Sequence, residues 1–386
     1  MIKTLTLFTG IWRATLSLPD GELPFTFQLE KNNSSYIITV INGQEKIRAD
    51  EISIFNDSIF IKMPVFDSEI KAKVADTEMT GIWINYSRQT NREINFSAEA
   101  GKEFRFLQNP KASTNISGKW EVHFSEGTKD STLSIGLFTQ NANLLSGTFL
   151  TTTGDYRFLE GCVNGDSIFL SCFDGAHAYL FKAKISADKK IEGIYCSGGH
   201  WKEPWVAIKN ENAELPDAFS ITTMKDNSKN FSFEVLTLDS GRFIFPNKKY
   251  KNKVVIIQIM GSWCPNCMDE TSFLSPFYEK YKTRNVEIIG LSFEKTNEFK
   301  RATANILKVK KRYNVTYELL VAGNREKASD KMSMLSKING YPTTIFIDKR
   351  GNVRKIHTGF NGPATGKYFE KEKDDIIHLV EKLIRE

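Results

Sequence analysis

Two cysteines separated by two residues are the part of this chain best suited to chemistry. They lie in Gly261-Ser-Trp263-Cys264-Pro265-Asn266-Cys267, between the apolar run Val254-Val-Ile-Ile-Gln-Ile259 and a segment with helical patterning. This spacing lets both sulfurs converge across one helical turn and close a small disulfide ring. Pro265 suits the first helical position, where its missing N–H would have had no partner. Cys264, at the helix start, faces unpaired N–H groups and the positive end of the helix dipole. That environment favours thiolate and should lower its pKa below the free value of about 8.5, so Cys264 is the expected attacking sulfur. Cys267, one turn inside, is the expected resolving sulfur, which releases a mixed disulfide formed on Cys264. The competing readings are a purely structural disulfide or half of a metal site. A zinc ribbon needs a second ligand pair, and neither another C-x-x-C nor an H-x3-5-H occurs among the five histidines. No metal and no cofactor are expected, because the cysteine pair itself carries the chemistry.

At 386 residues the chain is longer than one hydrophobic core usually supports, and two or three domains are expected. Hydrophobic residues at 40% and charged residues at 25% exclude wholesale disorder and fibrous repeats. No apolar run approaches the roughly 20 residues needed to span a bilayer. The net charge of +6 is unevenly distributed. Residues 1–217 hold 22 Lys/Arg against 27 Asp/Glu, whereas residues 218–386 hold 30 against 19. The only basic run, Lys308, Lys310, Lys311 and Arg312, lacks a companion glycine-aromatic motif, so a solvated helix face is expected rather than nucleic-acid binding. Met1 to Gly10 carries one lysine and too short an apolar stretch for a secretion signal. Either the protein is cytoplasmic or the numbering begins after a removed signal.

More than half of the sequence is a duplication. Gly10-Ile11-Trp12 recurs as Gly118-Lys119-Trp120, and Asp57-Ser58-Ile59-Phe60 as Asp166-Ser167-Ile168-Phe169. Ile70-Lys-Ala-Lys-Val74 recurs as Phe181-Lys-Ala-Lys-Ile185, and Gly81-Ile82-Trp83 as Gly193-Ile194-Tyr195. The offsets grow in order through 108, 109, 111 and 112, the pattern left by duplication followed by small loop insertions. Each copy reads as six to eight short strands, such as Ser34 to Val40 and Asp57 to Met63, separated by turn signals including Asn42-Gly43 and Asn164-Gly165. A small antiparallel barrel or sandwich per copy is expected, since closure removes exposed strand edges. The opening Gly-x-Trp followed by meandering strands resembles a lipocalin-type barrel over residues 5–210. That resemblance implies either a pocket for an apolar ligand or partner, or simply Trp12 and Trp120 plugging barrel ends as core. Cys162, Cys172 and Cys196 fall in strands of the second copy and are read as small buried hydrophobes.

The expected boundaries are 1–109 for the first β-rich repeat, 110–210 for the second, 211–217 for a polar linker, and 218–386 for an α/β domain. In the last, strands are expected over 253–260, 286–293, 317–321, 343–348 and 353–358. Helices are expected over 265–284, 296–313, 326–338 and 370–384. The fold class is therefore read as α+β multidomain, two repeated β units followed by an α/β unit with a mixed sheet.

Trp263-Cys264-Pro265-Asn266-Cys267 after a buried strand, together with Gly340-Tyr341-Pro342-Thr343-Thr344 before another, resembles the thioredoxin superfamily over residues 218–386. The resemblance implies a cis Pro342 lying against the cysteine pair, with Trp263, Tyr341 and Pro342 meeting an extended substrate chain. Cys267-Met-Asp-Glu270 looks like the TlpA/ResA-like branch of cell-envelope thiol-disulfide oxidoreductases, which places Glu three residues after the second cysteine. By helical spacing Glu270 shares a face with Cys267 and could relay its proton, the plainer alternative being a solvated carboxylate. Asp269 points elsewhere and is expected to be exposed. Gln258 stands where thioredoxin has a buried Asp, which leaves the relay to Glu270 alone. A peroxidatic site would need Pro-x-x-x-Thr-x-x-Cys, and this motif has no such run.

The expected function is a thiol-disulfide oxidoreductase reducing or exchanging disulfides of cell-envelope proteins. Its partners would be protein thiols and disulfides plus an electron donor or acceptor, not nucleic acid. Membrane tethering, if any, would lie outside this sequence. The alternative is a ligand- or partner-binding β-barrel protein with a redox-sensing thioredoxin-like module.

Overall fold

Alternation of apolar and polar residues carries the first half of the chain into strands. The structure, a computed structural model, describes residues 7–33, 35–225 and 230–386. Residues 1–6, weighed above as a possible leader, and Ser34, expected to open a strand, lie outside the described residues. The chain divides into two compact units, Met1–Leu150 with Tyr156–Glu214, and Thr151–Asp155 with Leu215–Glu386.

The first repeat is an antiparallel meander of nine strands: β1 (Gly10–Leu18), β2 (Gly21–Asn32), β3 (Ser35–Asn42), β4 (Glu45–Ala49), β5 (Ile52–Phe55), β6 (Ser58–Lys62), β7 (Ser68–Ala75), β8 (Glu78–Asn85) and β9 (Glu93–Ala100). β1 pairs with β9 as well as β2, and the sheet stays open only between β4 and β5. The second repeat contains β10 (Gly118–Phe124), β11 (Thr132–Asn141), β12 (Leu144–Thr151), β13 (Gly154–Asp155), β14 (Leu159–Asn164), β15 (Ser167–Phe173), β16 (Ala178–Ile185), β17 (Ile191–Ser197) and β18 (Trp201–Lys209). Here β10 pairs with both β18 and β11, and β11 with β12, so the ring closes.

The matched sequence motifs do matched physical jobs. Trp12 and Trp120 are both buried, and each indole N–H donates to the carbonyl four residues earlier, Phe8 at 3.1 Å and Ile116 at 2.8 Å. Gly81 faces Ala72 on β7, and Gly193 faces Ala183 on β16. A Cβ at either glycine would run into the neighbouring strand, 1.9 Å from the Lys71 carbonyl oxygen or 2.3 Å from that of Lys182. Phe124, Phe149, Tyr156, Phe181, Tyr195 and Trp205 stack and edge-pack against one another in the second repeat, so aromatic core occupies its interior.

Both repeats lie within one compact unit. Phe173 of β15 stacks on Phe25 of β2 at 4.4 Å and meets Trp83 of β8 edge-on at 5.3 Å. Arg105, buried between them, donates to the carbonyls of Ile41 and Ser171 and lies 3.6 Å from Glu160. Burying a guanidinium is costly, and here the two Nη groups are matched in this way while Nε has no hydrogen-bond partner.

In the C-terminal unit a seven-stranded sheet runs in the order β20-β19-β23-β22-β21-β24-β25. The elements are β19 (Phe233–Leu236), β20 (Arg242–Phe245), β21 (Val254–Met260), α1 (Pro265–Tyr281), β22 (Val286–Glu294), α2 (Phe299–Arg312), β23 (Glu318–Asn324), α3 (Ala328–Lys331), β24 (Thr343–Ile347), β25 (Val353–Thr358) and α4 (Lys367–Arg385). β21, β22 and β23 are parallel, and β24 runs antiparallel to β21. All seven residues of β21 are buried, as an interior strand covered on both faces demands, and this explains its nearly unbroken apolar run. This is a thioredoxin-like unit with a mixed sheet. The basic run falls on the exposed side of α2, where Lys310, Lys311 and Arg312 face solvent at the negative end of the helix dipole.

Three expectations need correction. Among the described residues α-helices occur only in the C-terminal unit, so the protein is mostly β and the α+β label fits it loosely. The helix expected over 326–338 shrinks to a 3-10 turn and α3, because Met334 and Ser336 commit their backbones to Lys225 and Thr223 instead. The β19–β20 hairpin was not anticipated.

Replacing Gly193 with Ala should destabilise the barrel unit by about 1–3 kcal/mol through overpacking. Gly199→Ala, where an added Cβ meets nothing within 4 Å, should stay within about 0.5 kcal/mol of the unaltered protein. Urea unfolding followed by tryptophan fluorescence measures both, and equal stabilities would contradict the close-approach argument.

Candidate functional site

The cysteine motif sits where β21 ends and α1 begins. Cys264 is the N-cap residue with extended backbone (φ −105°, ψ 107°), and Pro265 opens the helix. The Cys264 sulfur accepts the Cys267 N–H at 3.2 Å, taking the role a serine or aspartate oxygen plays at other helix starts. The two sulfurs are at disulfide distance, with their Cα atoms 5.2 Å apart. Both cysteines are buried, but Cys264 keeps 5% of its surface exposed and Cys267 none, so the pair is more open at its first residue than at its second.

Buried contacts lock the loop before the helix. Glu294, the last residue of β22, accepts the Ser262 N–H at 2.9 Å and the Ser262 and Ser292 hydroxyls at 2.6 Å each. The Trp263 indole folds back to donate to the Phe293 carbonyl at 2.9 Å. Gly261 permits this, since a Cβ there would lie 2.3 Å from the indole nitrogen. Sequence reasoning missed Glu294, and its only signal was an acidic residue ending an otherwise apolar strand.

The second motif meets the first. The Tyr341–Pro342 peptide is cis, the isomer implied by the thioredoxin resemblance. The Tyr341 carbonyl lies 3.5 Å from the Cys264 sulfur, and the Tyr341 ring packs edge-on against Trp263 at 5.2 Å. Trp263, Cys264, Tyr341 and Pro342, separated by almost eighty residues of sequence, thus form one cluster. Asp269 is half-buried rather than exposed.

Glu270 is fully buried, which rules out the solvated reading. Its two oxygens accept from Thr344 Oγ1 at 2.7 Å and Gln258 Nε2 at 2.8 Å. Gln258 and Thr344 are cross-strand partners on β21 and β24, so their side chains share the face that α1 covers. The Gln258 amide also lies 3.4 Å from the Cys267 carbonyl, which links the carboxyl to the second cysteine's backbone. Burial pushes the Glu270 pKa up to about 7, against the pull of these two hydrogen bonds. Gln258 therefore does more than replace an acid, since it holds the acid one helical turn past Cys267. In the sequence Thr344 stands out only as the end of the Gly340-Tyr341-Pro342-Thr343-Thr344 motif.

A second buried carboxyl lies further along this face. Glu372 of α4 accepts the Asn361 N–H at 3.0 Å, and burial pushes its pKa up to about 8. Its other oxygen lies 3.7 Å from His357, the cross-strand partner of Thr344. Burial lowers the His357 pKa. Among the described residues no cluster of three or more His, Cys, Asp or Glu side chains is arranged to hold a metal ion.

The remaining cysteines Cys162, Cys172 and Cys196 are free and buried. Burial pushes the thiol pKa of Cys162 and of Cys196 up to about 11, and that of Cys172 well above its ordinary value, so all three should be poor nucleophiles.

The raised Glu270 pKa predicts a pH-dependent stability. Below pH 4.5 the carboxyl is protonated in both states and the difference vanishes. Between 4.5 and about 7 the unfolded chain releases the proton while the folded protein keeps it, so stability falls as pH rises. The loss over this window is roughly 3 kcal/mol at 1.4 kcal/mol per pH unit. Glu270→Gln removes it, so the variant should gain on the unaltered protein by about that amount between pH 4.5 and 7.5 in urea unfolding of the oxidised protein. A pH-independent difference would contradict a buried, proton-holding Glu270.

Comparisons with known proteins place this geometry in context. Residues 227–356 match the family described as AhpC/TSA. The chain is 27% identical over 110 residues to thiol-disulfide oxidoreductase ResA of Geobacillus thermodenitrificans, covering 28% of this chain and 57% of that protein. It is 31% identical over 109 residues to ResA of Bacillus cereus, covering 28% and 55%. The chain thus spans little more than half the length of the curated relatives it matches. A thioredoxin-family thiol:disulfide interchange protein of Chlorobium tepidum shows 22% identity and a TM-score of 0.32, covering 41% of this chain and 96% of that one. The chain is therefore similar, over somewhat more than a quarter of its length, to ResA proteins named as thiol-disulfide oxidoreductases.

Proposed function

We propose that the protein is a thiol-disulfide oxidoreductase that reduces or exchanges disulfides in other proteins. The observation that carries this reading is the Cys264–Cys267 pair at the start of α1, with Cys264 slightly exposed, Cys267 fully enclosed, and the Tyr341 carbonyl beside Cys264. In the reduced form the Cys264 thiolate, supported by the Cys267 N–H and the helix dipole, attacks one sulfur of a substrate disulfide. A mixed disulfide forms and the first substrate thiolate leaves. Cys267 then loses its proton and attacks the Cys264 sulfur, which releases the second substrate thiolate and leaves the Cys264–Cys267 disulfide. The substrate gains two electrons and two protons, and a dithiol donor returns the pair to the reduced form.

Glu270 is the proposed proton acceptor for Cys267. A carboxyl that titrates at about 7 exchanges protons readily near neutral pH, and Gln258 ties it to the Cys267 backbone. Trp263, Tyr341 and Pro342 form the proposed rest for the substrate chain, which would lie extended along the Tyr341 backbone. A cell-envelope location, periplasmic in a bacterium with two membranes, is proposed from the likeness to ResA. Among the described residues no helix is long and apolar enough to cross a membrane.

Reduction of insulin by dithiothreitol tests the reading. The protein should accelerate it, and Cys264→Ser should lower the catalysed rate at least 100-fold. Cys267→Ser should accumulate a mixed disulfide with the substrate that gel electrophoresis detects. Unchanged turnover in Cys264→Ser would end this proposal.

A further inference from the structure

Helix α2 of the C-terminal unit carries charge of one sign only. Its 14 residues, Phe299–Arg312, include no Asp or Glu, and Lys300, Lys308, Lys310, Lys311 and Arg312 are all exposed. Helical spacing sets the outward stripe. Lys300, Ala304, Leu307, Lys308 and Lys311 stand at i, i+4, i+7, i+8 and i+11, opposite the buried Ala302, Asn305, Ile306 and Val309. Leu307, 47% exposed, therefore projects among the cations.

Other helices of the unit pair their lysines. On α4, Lys371 meets Asp375 and Lys373 meets Glu370, and just after α1, Lys282 meets Glu279. Among the described residues none of the five α2 cations named above has a carboxylate within 4 Å. The helix dipole accounts for Lys310, Lys311 and Arg312 in the last turn, but it disfavours Lys300 in the first. Lys308 stands three and four positions before Lys311 and Arg312, a spacing at which like charges repel. Folding alone does not explain the charge of this stripe.

The shape of the face decides what fits it. From Lys300 to Lys311 the stripe runs about 16 Å, at 1.5 Å per helical residue, so its ammonium groups do not converge on one point as a small anion requires. A plane of anionic headgroups meets all of them at once, and an apolar side chain among the cations can dip between those headgroups. A nucleic acid also supplies negative charge, but no aromatic side chain stands in the stripe to stack on a base.

We propose that the outward face of α2 rests on an anionic lipid surface, with Lys300, Lys308 and Lys311 at the headgroups and Leu307 between them. The contact is electrostatic and reversible, so salt weakens it. It uses neither cysteine and stands apart from the oxidoreductase reading.

Co-sedimentation of the full-length protein with vesicles tests the proposal. Phosphatidylcholine vesicles are compared with vesicles in which about 30% of the lipid is phosphatidylglycerol. At about 50 mM salt the partition coefficient should be at least tenfold higher for the anionic vesicles, and at about 0.5 M the excess should disappear. Lys308→Glu/Lys311→Glu should lower anionic binding at least tenfold, Lys308→Arg/Lys311→Arg should keep it within about twofold, and Leu307→Ser should lower it severalfold. Lys371→Glu/Lys382→Glu on α4 makes the same change in net charge and should leave binding within about twofold. Urea midpoints equal to that of the unaltered protein show that the variants fold. Equal partition of the unaltered protein onto both vesicles, or the same loss from the α4 reversals as from the α2 reversals, overturns the proposal. Binding to a single-stranded oligonucleotide without binding to the anionic vesicles also overturns it and assigns the face to nucleic acid.

Discussion

The C-terminal site depends on one hydrogen bond, the Cys267 N–H donated to the Cys264 sulfur at the first turn of α1. A helix start leaves N–H groups without partners, and this chain answers that need with a sulfur instead of an oxygen. The same geometry fixes the Cys264–Cys267 spacing, puts Pro265 where its lack of an N–H costs nothing, and leaves Cys264 slightly exposed while Cys267 is fully enclosed. β21 has to deliver the helix start to a defined place. It is therefore an interior strand buried along its whole length, and the end of β22 clamps the connecting loop through Glu294.

A second constraint follows from that burial. A strand covered on both faces tolerates polar side chains only where they are matched, and the polar residues of β21 and β24 meet one another at Glu270. Gln258 and Thr344 contribute their donors to one carboxyl, and that carboxyl holds its proton to about pH 7 because water cannot reach it. The apolar strand that positions the cysteines thus also creates the environment in which a nearby acid can exchange protons at neutral pH. The barrels answer a different demand. Aromatic packing and buried Arg105 join two copies of one motif into a single unit, while the matching Trp and Gly positions serve each copy from within.

Much of this was legible in the sequence because it depends on local spacing. The cysteine motif, the strand before it, the proline motif and the duplication are short patterns whose geometry needs little tertiary information. Gly81 and Gly193 show this well, since the repeat placed them in register and the structure shows each facing an alanine across the sheet. What could not be read depends on distant partners. Glu270 looks the same in sequence whether solvated or buried, and only the pairing of β21 with β24 decides between them. The segment 326–338 has helical composition, yet its backbone is taken by residues 223–225, about a hundred positions earlier. The union of the repeats was invisible for the same reason, because Phe173 and Arg105 reveal their role only against residues of the other copy.

The central claim is that the helix start makes Cys264 the reactive sulfur while Cys267 stays enclosed. Alkylation of the fully reduced protein with iodoacetamide at pH 6, read peptide by peptide by mass spectrometry, tests it most directly. Cys264 should be modified at least tenfold faster than Cys267 and faster still than Cys162, Cys172 and Cys196. Equal rates, or modification of Cys267 first, would contradict the account.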